Sequence, residues 1–591
     1  MERLPTRNTI PQRLGTFGTL TEALDYAAQG ETGFGFHDGR GAVTRALPYA
    51  ALRAEARALA RRLLGAGLAR GERVAIVAET HPDVVAAFLA CQYAGLVPAL
   101  LPLPTAFGGR ETYIEHIARL AQASQASALF VPAALQSWLE PFAEGAGLAI
   151  FGTVAGMPVD EAREAALPEP RPLGEDEIAY LQFSSGSTRF PVGVAVTGRA
   201  LMENIRSILQ HGLRLGQDDR AVSWLPLYHD MGLVGFMLAP LAGQVTVDYL
   251  SPQEFARRPQ LWLRLISAHR ATLSYSPSFG YELCTRRGRP DPSREAPLDL
   301  SSWRAAGIGG DMIRPQVLAR FAETFAPDGF RGEAFVPSYG MAEATLAISF
   351  APLDKGFVTD TVDLDRLERE GVAAPASDGT MRLREFALCG PPVPGTELEI
   401  RDAAGASLPE RRVGHVVVRG PGLMQGYDNR LEESAAALSP EGWLSTGDLG
   451  YRLDGQVVIT GRAKDLIIVN GRNVWPQDLE WAVEQSLPTA RSGDAAAFSV
   501  EEDGVEQVVM LVEARGAPDS ATRERLTTEV AGLLRSRHGV EARVVLVSPG
   551  TLPRTSSGKL SRSLARSRYL AQQPADGTGP LAPSFEATPP G

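Results

Sequence analysis

Apolar residues follow two alternating spacings along this chain. In YAALRAEARALARRLLGAG (49–67) they recur every three to four positions, which gives a helix one apolar face. GERVAIVAE (71–79), directly after it, is a short apolar run of strand length. This exchange of helical and strand-like segments continues for most of the length. It predicts an α/β fold with helix-covered parallel sheets. The longest apolar stretch, VVAAFLACQYAGLVPALLPLP (84–104), is interrupted by Pro98, Pro102 and Pro104. It predicts a buried helix running into a buried strand, not a membrane span.

The pattern changes twice. PEPRPLGEDE (168–177) predicts a connection between subdomains, and GYRLDGQVVITGRAKD (450–465) a turn-rich region before a smaller segment. Strand-like QVVMLVEA (507–514) and ARVVLVS (542–548) mark that segment as α+β. The expected division is a large amino-terminal domain over 1–463, a small carboxy-terminal domain over 464–571, and a disordered tail over 572–591. The tail is rich in Pro, Gly, Ala and Ser and has no apolar face.

Composition narrows the function. A chain of 591 residues needs more than one core. A net charge of −11, with arginine pairs scattered along the length, argues against a nucleic-acid partner, which would require a basic face. Cys91, Cys284 and Cys389 lie too far apart for metal spacing and form no disulfide framework. The amino terminus MERLPTRNTIPQRL has no apolar signal core, so a cytoplasmic protein without an integral membrane segment is expected. Only three of the 58 basic residues are lysines: Lys355, Lys464 and Lys559. Lysine is a compact point charge on a flexible stem, whereas arginine is a planar fork. A lysine in so arginine-rich a chain points to a site that needs a mobile point charge.

Six segments carry candidate chemistry. YLQFSSGSTRFPVGVAVTG (180–198) sets Ser184, Ser185, Gly186, Ser187 and Thr188 after an apolar strand, a run of hydroxyls and open backbone N–H groups suited to phosphates. It lacks the P-loop pattern. Alone, it reads more readily as a solvated Ser/Gly turn. WLPLYHDMGL (224–233), SYGMAEATL (338–346), WLSTGDLG (443–450), GRAKDLIIVNGRNVWPQDLE (461–480) and LPRTSSGKL (552–560) follow in order. Together they resemble the adenylate-forming superfamily of acyl-CoA synthetases, luciferases and adenylation domains, over about 20–570. LYHDMGL, YGMAEATL and DLIIVNGRNVWPQDLE are most similar to the fatty acyl-AMP ligases.

The resemblance implies ATP-dependent activation of a fatty or related carboxylic acid to its acyl-adenylate, with release of pyrophosphate. It assigns the Ser184–Thr188 loop to the β- and γ-phosphates and Glu343 to Mg²⁺. Asp448 and Arg462 fall on the ribose, and Gly309, Gly310 and Asp311 flank the adenine with the Ser338, Tyr339, Gly340, Met341 segment. His229 falls near the acyl carboxylate, Lys559 is the catalytic lysine, and Lys464 is the hinge about which the small domain turns. Lys355 has no role in the pattern. The chain departs from the family at Arg189 and Val192 in the phosphate loop, where acyl-CoA synthetases usually have glycine and lysine. It departs again at Gly309-Gly310-Asp311, where Gly-Ala-Glu is usual, and at YSPSFGY (275–281), where Gly-Gly-Pro-Asn-Phe-Ala-Tyr is usual. The long interval 350–387 resembles the insertion of fatty acyl-AMP ligases that restricts domain movement and disfavours coenzyme A. The acyl group is then expected to pass to the phosphopantetheine thiol of an acyl carrier protein supplied in trans. Two other readings stay open, an acyl-CoA synthetase and a catalytically silent adenylate-binding paralogue. An amino-acid adenylation domain is disfavoured, because 224–240 lacks that family's Phe-Asp segment and offers only Asp230.

Overall fold

The computed structural model describes residues 3–572, except 105–108, 159–166, 168, 184–191, 292–295, 470, 488–489, 503–504, 517–518 and 556–557. Two large sheets dominate. One has eight strands, in the spatial order Ala347–Phe350, Phe335–Gly340, Ala305–Ile308, Leu273–Ser276, Arg220–Ser223, Thr246–Tyr249, Gly33–His37 and Val43–Pro48. Its six inner strands are parallel, and antiparallel strands close both edges. The second, of seven strands, has a parallel centre of Arg73–Val77, Val97–Leu101, Ala126–Phe130 and Ile178–Phe183. This is the helix-covered α/β architecture that the alternating pattern predicts.

Local chemistry explains the elements that frame the site. The predicted helix-to-strand stretch is the helix Pro82–Ala94 followed by the strand Val97–Leu101. The His81 ring accepts from Asp83 N at its start, Pro82 presets the first turn, and Gly95 ends it in left-handed backbone at φ 75°. Nearly every side chain of this helix is buried. That accounts for its continuous apolar run without any membrane.

The 450–465 region differs from its turn-rich expectation. It is mostly sheet: Leu444–Leu453 pairs antiparallel with Gln456–Arg462. Asp454 and Gly455 make the turn between these strands, both at positive φ, the geometry of a tight hairpin, and a short 3-10 turn, Ala463–Asp465, follows. A four-stranded antiparallel sheet, completed by Glu397–Arg401 and Gly414–Arg419, results.

Residues 467–571 build a three-stranded sheet, Ala495–Glu502, Val505–Glu513 and Ala542–Val547, with the helices Pro476–Ser486, Ser520–His538 and Arg562–Ala571. This part has its own apolar cores, around Leu479, Val483 and Leu534 on one face and Phe498, Leu552 and Tyr569 on the other. Of the expected tail, 573–591 lie outside the described residues.

The 350–387 interval is a folded wedge. Strands Thr359–Asp363 and Leu383–Ala387 pair antiparallel, and the helix Leu364–Glu370 connects to the first, capped by Asp363. Val362, Leu367 and Phe386 share one core with Tyr451 and with Trp475 of the carboxy-terminal part. Glu368, 1% exposed, accepts from Arg382 at 2.9 Å and from Arg472 at 3.2 Å. Arg384 lies 2.9 Å from Asp478 and stacks over Phe386 and Trp475. Burial lifts the Asp478 carboxyl to about 6 despite the Arg384 charge. The wedge is therefore bonded to both parts of the chain. Among the described residues, no helix is long and apolar enough to cross a membrane.

Candidate active site

Parallel strands bring their carboxyl ends to one edge, and ligands of α/β sheets bind there. In the eight-stranded sheet, that edge presents Tyr228–Asp230 after Arg220–Ser223, Gly309–Asp311 after Ala305–Ile308, and Ser338–Met341 at the end of Phe335–Gly340. All of them line one cavity of about 870 Å³. Glu343, Asp448, Arg462, Lys464 and Lys559 line it too. Every predicted site residue that the structure describes thus meets in one place. Ser184, Ser185, Gly186, Ser187 and Thr188, with Arg189, lie outside the described residues; the strand before them ends at Phe183, which lines the cavity. Lys355 is exposed and does not line it.

The Asp448 carboxylate is held from both of its oxygens. Asp448 and Arg462 are direct cross-strand partners in the hairpin. Arg462 Nε lies 2.8 Å from Asp448 Oδ1, and the Tyr339 hydroxyl donates to Oδ2 at 2.6 Å. Burial raises the Asp448 carboxyl above its ordinary value, while Arg462, Tyr339, Lys559 and Lys464 oppose the rise. The result is an oriented acceptor at a cavity wall, suited to vicinal hydroxyls.

Glu343 sits on the short turn Ala342–Ala344, just before Thr345 at φ 64°. The Thr345 hydroxyl donates to Gly422 O at 2.8 Å, and Met424 N donates to Glu343 O at 2.8 Å, which pins this strained turn. The Tyr427 hydroxyl donates to Glu343 Oε1 at 3.1 Å, and burial raises the carboxyl's pKa. A carboxylate with spare oxygen lone pairs on a fixed turn is a donor of the kind a hard cation takes, so the residues present fit Mg²⁺. Gly309 permits a close approach, because a Cβ there would lie 2.9 Å from Ser338 O.

His229 Nδ1 lies 2.7 Å from Asp230 Oδ1. Burial disfavours the ionised Asp230, but the charges of His229 and Lys559 outweigh it and hold the carboxyl below its ordinary range. Lys559 thus bears electrostatically on both Asp230 and Asp448. It rides on a tight loop: Thr555 N donates to Lys559 O at 2.7 Å, and Gly558 takes φ 83°. Arg562, three residues on, is bound by Glu480 at 2.7 Å through both carboxylate oxygens and by Asp465 at 2.9 Å. Lys464, beside Asp465, has its pKa lowered by burial.

Sequence reasoning missed several of these groups. Tyr427 gave no signal, and Asp230 was noticed only as a rival's residue. Arg562 could have been found from its spacing to Lys559. The Arg314–Glu484 pair, 2.7 Å apart, joins the amino-terminal part to the helix Pro476–Ser486, with Arg314 also over the Trp481 ring at 4.8 Å. The Ser278 hydroxyl, one of the departures, accepts from Arg314 N at 3.2 Å and so holds the loop that carries it.

Comparison with known proteins gives the family. The family model for AMP-binding enzymes matches residues 36–428. A Caulobacter vibrioides protein provisionally named an acyl-CoA synthetase is 53% identical over 567 residues, 96% of this chain and 98% of its own. The medium-chain-fatty-acid–[acyl-carrier-protein] ligase JamA of Moorena producens is 33% identical over 574 residues, 94% of this chain and 95% of its own. A solved structure from a study of fatty acyl-adenylate ligases of E. coli and L. pneumophila superposes with a TM-score of 0.88 at 43% identity, covering 95% of this chain and 99% of the other. The chain belongs to the adenylate-forming AMP-binding enzymes and, within them, to the fatty acyl-AMP ligases.

Proposed function

We propose that this enzyme converts a fatty acid and ATP to acyl-adenylate and pyrophosphate, then transfers the acyl group to the phosphopantetheine thiol of a carrier protein in trans. One observation carries the first step: Lys559 lines the same cavity as the Asp448 cluster and acts electrostatically on Asp448. The same cavity is also lined by apolar residues such as Leu209, Leu213, Phe236 and Leu273, a surface for an alkyl chain.

The acid's carboxylate oxygen attacks the α-phosphorus, a P–O bond forms, and the bond to pyrophosphate breaks. Such displacement depends on positioning and charge neutralisation. Asp448 and Arg462 hold the ribose, Tyr339 and Gly309–Asp311 border the base, and Lys559 meets the negative charge developing at the α-phosphate. His229, oriented by Asp230, faces the acyl carboxylate. Glu343 would hold Mg²⁺, which supplies neutralisation of phosphate charge. In the second step the thiolate attacks the acyl carbon, a C–S bond forms, and AMP leaves with the bridging oxygen.

The acceptor rests on the JamA relationship and on the 350–387 wedge, whose buried bonds to Arg472 and Asp478 restrain the carboxy-terminal part. In this reading residues 464–571 turn about Lys464 between the two steps. The Caulobacter relative's name favours coenzyme A as the alternative acceptor. Incubation with ATP, Mg²⁺, coenzyme A and saturated acids of graded length, analysed by mass spectrometry, separates the two. Acyl-AMP without acyl-CoA supports the proposal. Acyl-CoA formation overturns the carrier-protein step, and absence of any adenylate overturns both.

A further inference from the structure

Strand register shows where the cavity runs. Leu273 pairs with Ala221 on one side and Ala305 on the other, Tyr275 pairs with Gly307, and Ile308 with Pro337. Side chains alternate along a strand, so Ala221, Leu273, Tyr275, Gly309 and Ser338 share one face of the eight-stranded sheet. All five line the cavity. Behind the reaction centre the cavity is therefore a trench along that face, from Gly309 and Ser338 toward Leu273. Two helical turns of the π form, Ile208–Gly212 and Val234–Leu238, give Ile208, Leu209, Gly235 and Phe236 to its lining. Such turns insert a residue into a helix and are frequent at functional sites.

The register also measures the trench. Ala305, level with Leu273, is four residues from Gly309, on the order of 13 Å at about 3.3 Å per residue. An extended alkyl chain with bonds of about 1.5 Å advances about 1.3 Å per carbon, so about ten carbons cover that length. Beyond Leu273 the walls close. Ala221, Leu209 and Val245 are 0%, 1% and 2% exposed, whereas Leu273 and Tyr275 keep 4% and 7%. Leu209 and Leu215 converge at Gly243, where a Cβ would lie 3.3 and 2.6 Å from them.

Gly235 stands at the head of the trench. It is only partly buried, and a Cβ built on it would have Leu346 Cδ2, at 3.3 Å, as its one neighbour within 4 Å. Leu346 lines the cavity as well, and its carbonyl accepts from Met341 N at 2.9 Å, beside the Ser338–Met341 segment. The next residue, Phe236, meets the Tyr275 ring at 6.0 Å between centroids. The backbone at 235 is not in the left-handed region, so its geometry does not call for glycine. Glycine inside a helix is destabilising. What it leaves here is space.

We propose that Gly235 is the specificity-determining residue for the acyl chain: its missing side chain admits an unbranched tail, and the floor at Leu273 holds that tail to medium length. This rests on the acyl-adenylate reading and names the substrate class of the same site.

The test measures pyrophosphate release with butanoic, decanoic and hexadecanoic acids. Decanoic acid is expected to exceed both of the others in kcat/KM, each methylene buried up to the limit contributing about fourfold. In Gly235→Leu the added side chain fills the head of the trench. The decanoic-to-butanoic ratio should then fall roughly a hundredfold, as if three or four methylenes had lost their burial. Leu273→Ala lowers the floor and should move the preferred acid from decanoic toward dodecanoic. A wild-type preference for butanoic or hexadecanoic acid overturns the inference without any variant, and so does an unchanged ratio in Gly235→Leu. Should that variant fail to fold, as a melting curve would show, Gly235→Ala applies the same test with a fall of about fourfold. Adenylates formed without regard to chain length refute this inference alone, whereas no adenylate from any acid refutes the reading beneath it.

Discussion

The Arg314–Glu484 pair gives the sharpest test of how the two parts of the chain hold together. Its side chains are 16% and 5% exposed, so solvent screens it little. The Glu484 carboxyl also accepts from Gly493 N at 2.6 Å and lies near the like charge of Glu480. Burial pushes it from its ordinary 4.5 up to about 7, even though Arg314 opposes the rise. A carboxyl raised on docking favours the docked state below its free value and loses that contribution as pH rises through the docked value. In the wild-type enzyme the loss runs from about pH 4.5 to 7 and then levels off. In Arg314→Gln the docked carboxyl rises higher still, so the loss continues above pH 7.

At pH 8 the variant should give up roughly 1.4 kcal/mol for the additional pH unit, plus about 1 kcal/mol of lost hydrogen bonding. Together these weaken docking on the order of fiftyfold. At pH 6 the carboxyl is mostly protonated in both proteins, and only the smaller part, about fivefold, remains. Pyrophosphate exchange at pH 6, 7 and 8 reads the adenylating arrangement. Protease cleavage near Arg462–Leu466 reads docking directly. Glu484→Gln should remove the pH-dependent part. An Arg314→Gln defect that is absent, or equal at all three pH values, would refute the reasoning.

Lys559→Ala should lower adenylate formation by about a hundredfold or more while ATP affinity stays near wild type, and Lys559→Arg should restore little of it, because a planar fork does not replace a point charge. Near wild-type turnover in the arginine variant, measured by pyrophosphate release, would sink the role given to this lysine. Asp448→Asn should raise the KM for ATP about tenfold or more, with a smaller effect on the KM for the acid, and the two titrations together check the ribose assignment. Glu368→Ala leaves Arg382 and Arg472 without their shared carboxylate; denaturant unfolding should show a loss of about 3 kcal/mol. If the wedge governs acceptor choice, acyl-CoA should appear among that variant's products.

How much of this was legible in the sequence depended on whether a residue's neighbours are local. The helix at 82–94 and the strand at 97–101 follow from spacing, a proline and a glycine, all within one stretch. Site segments such as LYHDMGL and SYGMAEATL were legible because each packs its chemistry into a few consecutive residues. The 450–465 hairpin was misjudged because its glycines and charged residues look like turns; Asp448 and Arg462 pair only once the strands are side by side. Arg314 and Glu484 are 170 residues apart, and Tyr427 and Glu343 are 84 apart. Nothing in either residue's own surroundings announces such partners, and an arginine-rich chain hides its important arginines among many others.

The wedge also limits how this enzyme can be taken apart. The turn Arg462–Leu466 looks like a natural seam for grafting the carboxy-terminal part of one relative onto another. A join there would carry Arg472, Trp475 and Asp478 away from Glu368, Phe386 and Arg384, and would strand buried charges on both sides of the cut. The exchangeable module is therefore discontinuous. A chimera keeps its matched set of buried partners only if residues 350–387 travel with 464–571, although the two are separated in the chain by the four-stranded sheet.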